Sequence, residues 1–144
     1  MARPPRPTAI RPAVIRTIRE ITGASTRTMA PLCGVTARSL LNWEQGLFTA
    51  PPDAVSAIVG VAETWRDEVR RLAELLTADP TYRVVTYRDD GELATARHAD
   101  PGCPAHWSVP SSAWHRAVVG AAVIDHPYAT VDWWGEDWRC QKET

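Results

Sequence analysis

The chain has 144 residues, of which 44% are hydrophobic, and this suits one compact domain or two small ones with an ordinary core. No apolar run approaches the roughly 20 residues of a membrane span, and the basic N-terminus lacks a signal peptide's apolar core, so we expect neither membrane insertion nor secretion. The net charge of −1 hides a split. Residues 1–52 hold seven arginines against two glutamates, which suggests a polyanionic partner, whereas residues 53–144 hold nine basic and fifteen acidic side chains.

The first nine residues are expected to form a basic flexible arm. They hold three prolines, which interrupt helices and strand ladders, and two arginines, Arg3 and Arg6. These arginines can enter a minor groove of DNA, as homeodomain arms do, or act only through salt-dependent attraction to phosphates. The second role is the commoner one for such tails.

Three short helices are predicted in the N-terminal half. Apolar residues recur at helical spacing in the first, and N-capping residues precede the second and third. A glycine follows each helix, at Gly23, Gly34 and Gly46. The predicted helices are Pro12–Thr22, a second helix capped by Ser25 and ending near Cys33, and a third capped by Thr36 and running from Ala37 to about Gln45.

The second half begins with a long helix and continues as a small α+β unit. Apolar residues recur at three- and four-residue steps from Asp53 to about Ala78. Asp90-Gly91 is a hairpin signal after a segment rich in β-forming residues. The remaining predicted elements are strands at Tyr82–Arg88, Leu93–His98 and Tyr128–Trp134, and a helix from Ser111 or Ser112 to Val123.

Residues 25–46 meet the requirements of a helix-turn-helix, in which two short helices cross at a fixed angle around a break. Ala30 is small where the helices cross, and Gly34 allows the turn. Three larger side chains are spaced to fill and close the core between the helices: Val35, Leu40 and Trp43. The sequence therefore predicts a mainly α fold, with a helix-turn-helix bundle and long fourth helix over residues 10–78 and a small α+β domain over residues 81–144.

Two sequence patterns carry a family resemblance: Met-Ala-x-x-x-Gly-Val-Thr across the end of the second helix, and Leu-x-x-Trp-Glu-x-Gly in the third. Through them the stretch from Val14 to Pro52 resembles the XRE family, the Cro-like phage repressor fold. It departs from the family at Thr26, where glutamine is frequent, and at Pro31, which lies inside the second helix. The resemblance implies an XRE-type domain that binds double-stranded DNA.

The resemblance also implies roles for individual residues, because in that family the third helix enters the major groove. It places Arg38, Asn42 and Ala37 against guanine, adenine and a thymine methyl group respectively. The alternative is that Arg38 and Asn42 are merely solvated. Phosphate contacts are assigned to four residues: Thr26, Arg27, Thr36 and Ser39.

Glu44 receives a structural role from the same resemblance. In the family, a glutamate at this position pairs with an arginine of the first helix, and the matching residue here is Arg19. Such a pair would tie the third helix to the scaffold, so neither residue is expected to contact DNA.

The cysteines suggest little chemistry. Cys33, Cys103 and Cys140 make an odd count at irregular spacing, so we expect no disulfide framework and a reducing cytoplasm. Cys103 and His106 have the spacing of metal ligands, with Cys140 and the other histidines as further candidates, but a zinc site needs a second close pair. We therefore expect no metal.

Catalysis is also not expected. Cys103 with His106 or His115 is similar to a nucleophile and base, but no third group is recognisable. Asp89-Asp90 lies in a predicted turn, where acidic residues are common for backbone reasons. The sequence predicts neither an enzyme nor a cofactor.

The order of motif, long helix, Tyr-Arg-rich strand and Trp-bearing helix is similar to that of the uncharacterised YdiL-like bacterial proteins, which implies no known activity. Helix-turn-helix proteins commonly bind palindromic sites as two-fold dimers, and tryptophan and tyrosine favour interfaces. The sequence thus predicts a transcriptional regulator, a repressor of phage or bacterial origin, acting as a cytoplasmic homodimer through its C-terminal half. The alternative is an antitoxin-like or adaptor protein of the same fold, whose acidic half binds a partner protein.

Overall fold

The computed structural model describes residues 9–140, which are mainly helical, as predicted. No helix in this range is long and apolar enough to cross a membrane. The elements are α1 (Pro12–Ile21), α2 (Thr26–Leu32), α3 (Ala37–Glu44), α4 (Pro52–Ala78), β1 (Val84–Thr86), α5 (Asp90–Ala99), α6 (Pro104–Trp107), α7 (Ser112–Val123) and β2 (Val131–Trp133).

The described chain forms two compact units, residues 9–64 and 65–140. The division falls inside α4, between Thr64 and Trp65, so the first half of this helix belongs to the N-terminal unit and the second half to the C-terminal unit. The predicted boundary after residue 78 assigned the whole helix to the N-terminal domain.

In the N-terminal unit, α3 packs against both α1 and α2. The core of this unit is apolar, and its largest side chains are almost completely buried. These side chains are Ile15, Met29, Leu40, Trp43 and Ile58. The residues expected to fill the space between α2 and α3 therefore lie where the sequence predicted, with Val35 half-buried beside the turn.

In the C-terminal unit, β1 and β2 form a two-stranded parallel sheet, with Val84 opposite Val131 and Thr86 opposite Trp133. Helix α7 packs on β1, and α5 packs on α6 and α7. One core cluster joins the end of α4 to this sheet and to α7. Its buried members are Leu76, Val84 and Val119, flanked by Leu72, Tyr82, Val123 and Ala129.

The predicted hairpin at Asp90-Gly91 is wrong, because residues 90–99 form α5 instead of a returning strand. Asp89 is the N-cap of this helix, and its Oδ1 accepts a hydrogen bond of 2.7 Å from the Glu92 backbone N–H. Glu92 reaches back to the Arg88 backbone N–H at 3.3 Å. This reciprocal capping stabilises a helix start and outweighs the turn propensity of Asp-Gly. The connection through α5, α6 and α7 then allows β2 to pair in parallel with β1.

The expectation of no disulfide is also wrong. Cys103, which is 1% exposed, forms a disulfide with Cys140, 37 residues later in the chain. The bond attaches the segment after β2 to the start of α6. Cys33 is the free cysteine, and it lies half-buried at the end of α2.

Opening the disulfide should lower the free energy of unfolding by about 4 kcal/mol, because the bond closes a loop over a sequence separation of 37 residues. The measurement is urea unfolding of the wild type, with and without reductant, beside the double variant Cys103→Ala/Cys140→Ala. Cys33→Ala is the matched control and should keep the wild type's response to reductant. Equal stability of the oxidised wild type and the double variant would contradict this prediction.

Candidate nucleic-acid interface

Helices α2 and α3 begin at side-chain caps that the sequence identifies. Ser25 Oγ accepts a hydrogen bond of 3.1 Å from the Thr28 backbone N–H. Thr36 Oγ1 accepts one of the same length from the Ser39 backbone N–H. Each cap satisfies a backbone donor that has no partner within its helix, and so fixes where the helix starts.

The turn between α2 and α3 depends on Gly34, whose φ of +67° lies in the left-handed region. This conformation lets the Val35 N–H donate to the Ala30 carbonyl at 3.0 Å and the Gly34 N–H donate to the Pro31 carbonyl at 3.2 Å. The two bonds form a Schellman motif, which ends α2 and starts the reversal into α3. The Pro31 carbonyl accepts one of these two bonds, so the missing N–H of this proline does not prevent the turn.

Helix α3 has one buried and one exposed face. Leu40 and Trp43 are buried in the unit, whereas Ala37 and Arg38 are exposed and Asn42 is half-exposed. At 100° per residue, the second group lies on one continuous arc of the helix. The structure therefore brings the three predicted base-contacting residues together on one accessible face.

Leu41 is a member of this face that the sequence analysis missed. It is 43% exposed and lies between Ala37 and Arg38 around the helix axis. A helical wheel drawn from Leu40 and Trp43 places Leu41 on the opposite side of the helix. An exposed leucine here can contact apolar atoms of a partner, such as a thymine methyl group.

The predicted phosphate-contacting residues lie at the starts of α2 and α3. Arg27 and Thr36 are exposed, and Thr26 and Ser39 are half-buried. Thr36 Oγ1 donates to Ser39 Oγ at 3.0 Å while it caps α3, so its hydroxyl proton is already used. The Ser39 hydroxyl keeps its own proton to donate. Ser39 is therefore better suited than Thr36 to bind a phosphate oxygen directly.

The arginines of the N-terminal unit differ in whether a carboxylate neutralises them. Arg16 pairs with Glu20 at 2.7 Å on the surface of α1. Within residues 9–52, both glutamates are paired, which leaves Arg11, Arg27 and Arg38 without a carboxylate partner. Arg27 and Arg38 lie in the first turns of α2 and α3 respectively. Arg3 and Arg6 of the predicted arm lie outside the described residues.

Arg19 and Glu44 form an ion pair between α1 and α3. The Arg19 Nε donates to both carboxylate oxygens, at 3.0 and 3.3 Å, and Nη2 lies 3.0 Å from Oε1. The side chains are only 20% and 3% exposed respectively. Arg19 Nη1 also reaches the Ala24 carbonyl at 3.5 Å. This contact links the end of α1 to the end of α3, away from the exposed face of α3.

The C-terminal residues considered for metal binding or catalysis are placed in structural contacts. Cys103 Sγ is bonded to Cys140 Sγ, and Asp100 contributes the third potential ligand atom within 4.8 Å of both. His106 Nδ1 instead shares a 2.5 Å hydrogen bond with the Tyr87 hydroxyl. With its sulfur in the disulfide, Cys103 is neither a thiolate ligand nor a nucleophile in this state.

His115 and the acidic pair have equally local roles. His115 Nδ1 shares a 2.8 Å hydrogen bond with the Thr86 hydroxyl, and burial lowers the pKa of its ring to about 4. Asp89 caps α5, and Asp90 Oδ1 accepts a 2.8 Å hydrogen bond from the Ser112 N–H, which lowers the pKa of its carboxyl. Because its sulfur is in the disulfide, Cys103 offers no thiol to His115 in this state.

Neither protein-family models nor curated proteins gave a match to this chain. The resemblances to the XRE family and to YdiL-like proteins therefore stay predictions. What supports a nucleic-acid interface is the geometry of α1 to α3.

Glu44→Ala should lower the free energy of unfolding by roughly 3 kcal/mol, because it leaves the partly buried Arg19 without its carboxylate. Urea unfolding of both single variants and the double variant with Arg19→Ala gives the coupling energy. The exposed pair Arg16–Glu20, treated in the same way, is the control and should show a smaller coupling. Coupling no larger than in this control would reject a stabilising role for the buried pair.

Proposed function

We propose that the protein is a sequence-specific, double-stranded DNA-binding transcriptional regulator of the XRE type. The observation that carries the proposal is the exposed face of α3, where Ala37, Arg38 and Asn42 lie opposite the buried Leu40 and Trp43. A short capped helix that exposes one face with hydrogen-bonding side chains fits the major groove. No catalytic role is proposed.

The side chains on this face suit direct reading of bases. Arg38 can donate two hydrogen bonds to a guanine edge, and Asn42 can pair with an adenine edge through its amide. Ala37 and Leu41 add apolar surface that fits a thymine methyl group. The proposal therefore expects a preferred site that contains guanine and adenine, contacted within one helical turn of each other.

Phosphate binding is supported by charge and by free donors. Arg27 begins the exposed side of α2, and neither it nor Arg38 has a carboxylate partner within residues 9–52. The Ser39 hydroxyl retains its proton, as described above. Contacts of this kind fix the position of a protein on the duplex, while the base contacts select the sequence.

Arg38→Ala should weaken binding to the preferred duplex by about 1–3 kcal/mol and relax the preference at one base position. The preferred duplex would first be selected from a random library with the full chain. Binding curves for that duplex and for random DNA then give the loss of specific affinity and the loss of non-specific affinity separately. Because Arg38 is exposed and without an ion pair in the described chain, the variant should fold normally.

Arg16→Ala is the matched control for this experiment. It removes the same charge from the same unit, but from an exposed arginine on α1 that is paired with Glu20. It should weaken specific and random binding equally and only slightly. Equal losses for Arg38→Ala on both duplexes would restrict Arg38 to phosphate contact, and a library without an enriched site would reject sequence-specific binding.

We also propose that the protein acts as a homodimer in the cytoplasm and represses transcription by occupying its site. A single helix-turn-helix buries little DNA and binds weakly alone, so a second copy is required for tight binding. The C-terminal unit exposes apolar side chains within one short segment after α7. They are Ile124, Tyr128, Val131 and Trp133, of which Tyr128 is 98% exposed. Such side chains are typical of the apolar centre of a protein interface.

Tyr128→Lys and Ile124→Lys should convert the dimer to a monomer, because each places a charge in the proposed interface. Sedimentation of the full chain at micromolar concentration measures the oligomeric state. Ala94→Lys, at an exposed position on α5, is the control and should leave the dimer unchanged. Operator affinity should fall by a factor of about 100 in the monomeric variants, since linked half-sites gain through effective concentration.

A wild-type monomer would contradict the dimer. The same exposed apolar segment would then favour the alternative function, an antitoxin-like or adaptor protein whose C-terminal unit binds a different protein. The two functions are distinguished because only the regulator gains DNA affinity by self-association.

A further inference from the structure

The C-terminal unit contains a cleft of about 970 Å³ that neither DNA binding nor dimerisation uses. Its floor is apolar, formed by Leu72, Leu75 and Val118. Its size and its mixture of apolar surface with a few polar groups are typical of small-molecule sites. All of the side chains that line it belong to residues 65–140, so the cleft is complete within one unit.

The charged side chains of the cleft occur as two pairs of opposite sign. Glu68 and Arg71 lie one turn apart on α4, and Asp100 and Arg139 come from the segments joined by the disulfide. The formal charges cancel, so the cleft does not select for net charge. It offers instead a cation and an anion one helical turn apart on α4.

The groups of these pairs keep free hydrogen-bonding capacity. Glu68 Oε2 accepts a 2.6 Å hydrogen bond from the Trp114 indole, which leaves Oε1 for another donor. Burial raises the pKa of Glu68 because it disfavours the ionised carboxylate. A cationic ligand would stabilise that carboxylate. Arg139 Nη1 is held by the Glu136 and Trp138 carbonyls at 2.9 Å, which leaves Nε and Nη2. Within residues 9–140, Arg71 forms no ion pair closer than 4.0 Å.

His115 also lines the cleft. Its pKa of about 4 keeps the ring uncharged at neutral pH. Its Nδ1 shares a 2.8 Å hydrogen bond with the buried Thr86 hydroxyl, which leaves Nε2 as the other polar atom of the ring.

We propose that this cleft binds a zwitterionic small molecule with an apolar side chain, of the α-amino acid class. Arg71 takes the carboxylate, Glu68 takes the ammonium group, and the apolar side chain lies on the leucine and valine floor. A carboxylate alone would face the half-buried Glu68 without compensation, and an amine alone would gain no contact with the exposed Arg71. The proposal is independent of DNA binding and of the oligomeric state.

The probe is L-leucine, titrated into the full oxidised chain by calorimetry. The matched compounds are 4-methylpentanoate, which lacks the ammonium group, and 3-methylbutylamine, which lacks the carboxylate. Leucine should bind at least tenfold more tightly than either, because each removes one of two charge-assisted contacts. No detectable leucine binding at millimolar concentration, or equal binding of either truncated compound, would overturn the proposal.

Two variants locate the site. Arg71→Leu and Glu68→Gln should each weaken leucine binding at least tenfold, and Glu68→Gln keeps an oxygen that accepts the Trp114 hydrogen bond. Arg70→Leu is the matched control, because Arg70 pairs with Asp67 on the surface of α4 and does not line the cleft. It should bind leucine as the wild type does. An equal loss in Arg70→Leu and Arg71→Leu would overturn this site, and thermal unfolding without ligand verifies that each variant is folded.

Discussion

The orientation of α3 depends on a charged pair that water hardly reaches. Arg19 approaches the almost completely buried carboxylate of Glu44 from the last turn of α1. Rotation of α3 about its axis would separate this pair. It would leave a buried charge without a partner, which is strongly destabilising. Leu40 and Trp43 restrict the same face by packing. The outward direction of Arg38 is therefore a consequence of what is fixed on the other side of the helix.

The first three helices follow closely from the sequence, because their signals act over a few residues. Ser25 and Thr36 cap the helices that the sequence assigned to them, and Gly34 takes the left-handed conformation that the turn requires. The apolar stripe of α1 was less informative. Ile15 is buried but Ile21 is 61% exposed, since the packing of a short helix against α3 covers only part of such a stripe.

The C-terminal unit was harder to predict because its structure depends on contacts between distant residues. Asp-Gly suggested a hairpin, although Asp89 and Glu92 already had the spacing of a capping box, and the stronger local signal was overlooked. Val84 pairs with Val131, 47 residues later, and Cys103 bonds to Cys140, 37 residues later. Sequence spacing carries no signal for contacts this distant. The cleft likewise combines side chains from at least four separate segments.

The uneven charge of the chain bears on specificity in the proposed DNA complex. Both glutamates of residues 9–52 are held by arginines, so the remaining positive charge is concentrated on a few side chains near α2 and α3. The acidic excess after residue 53 repels phosphates and weakens binding to any sequence at low salt. A repulsion that acts on every sequence lowers the specific and the non-specific affinity alike, so discrimination in the proposed complex depends on the base contacts of α3. In the proposed complex the acidic half would therefore limit the affinity for DNA in general, and the exposed face of α3 would select the sequence.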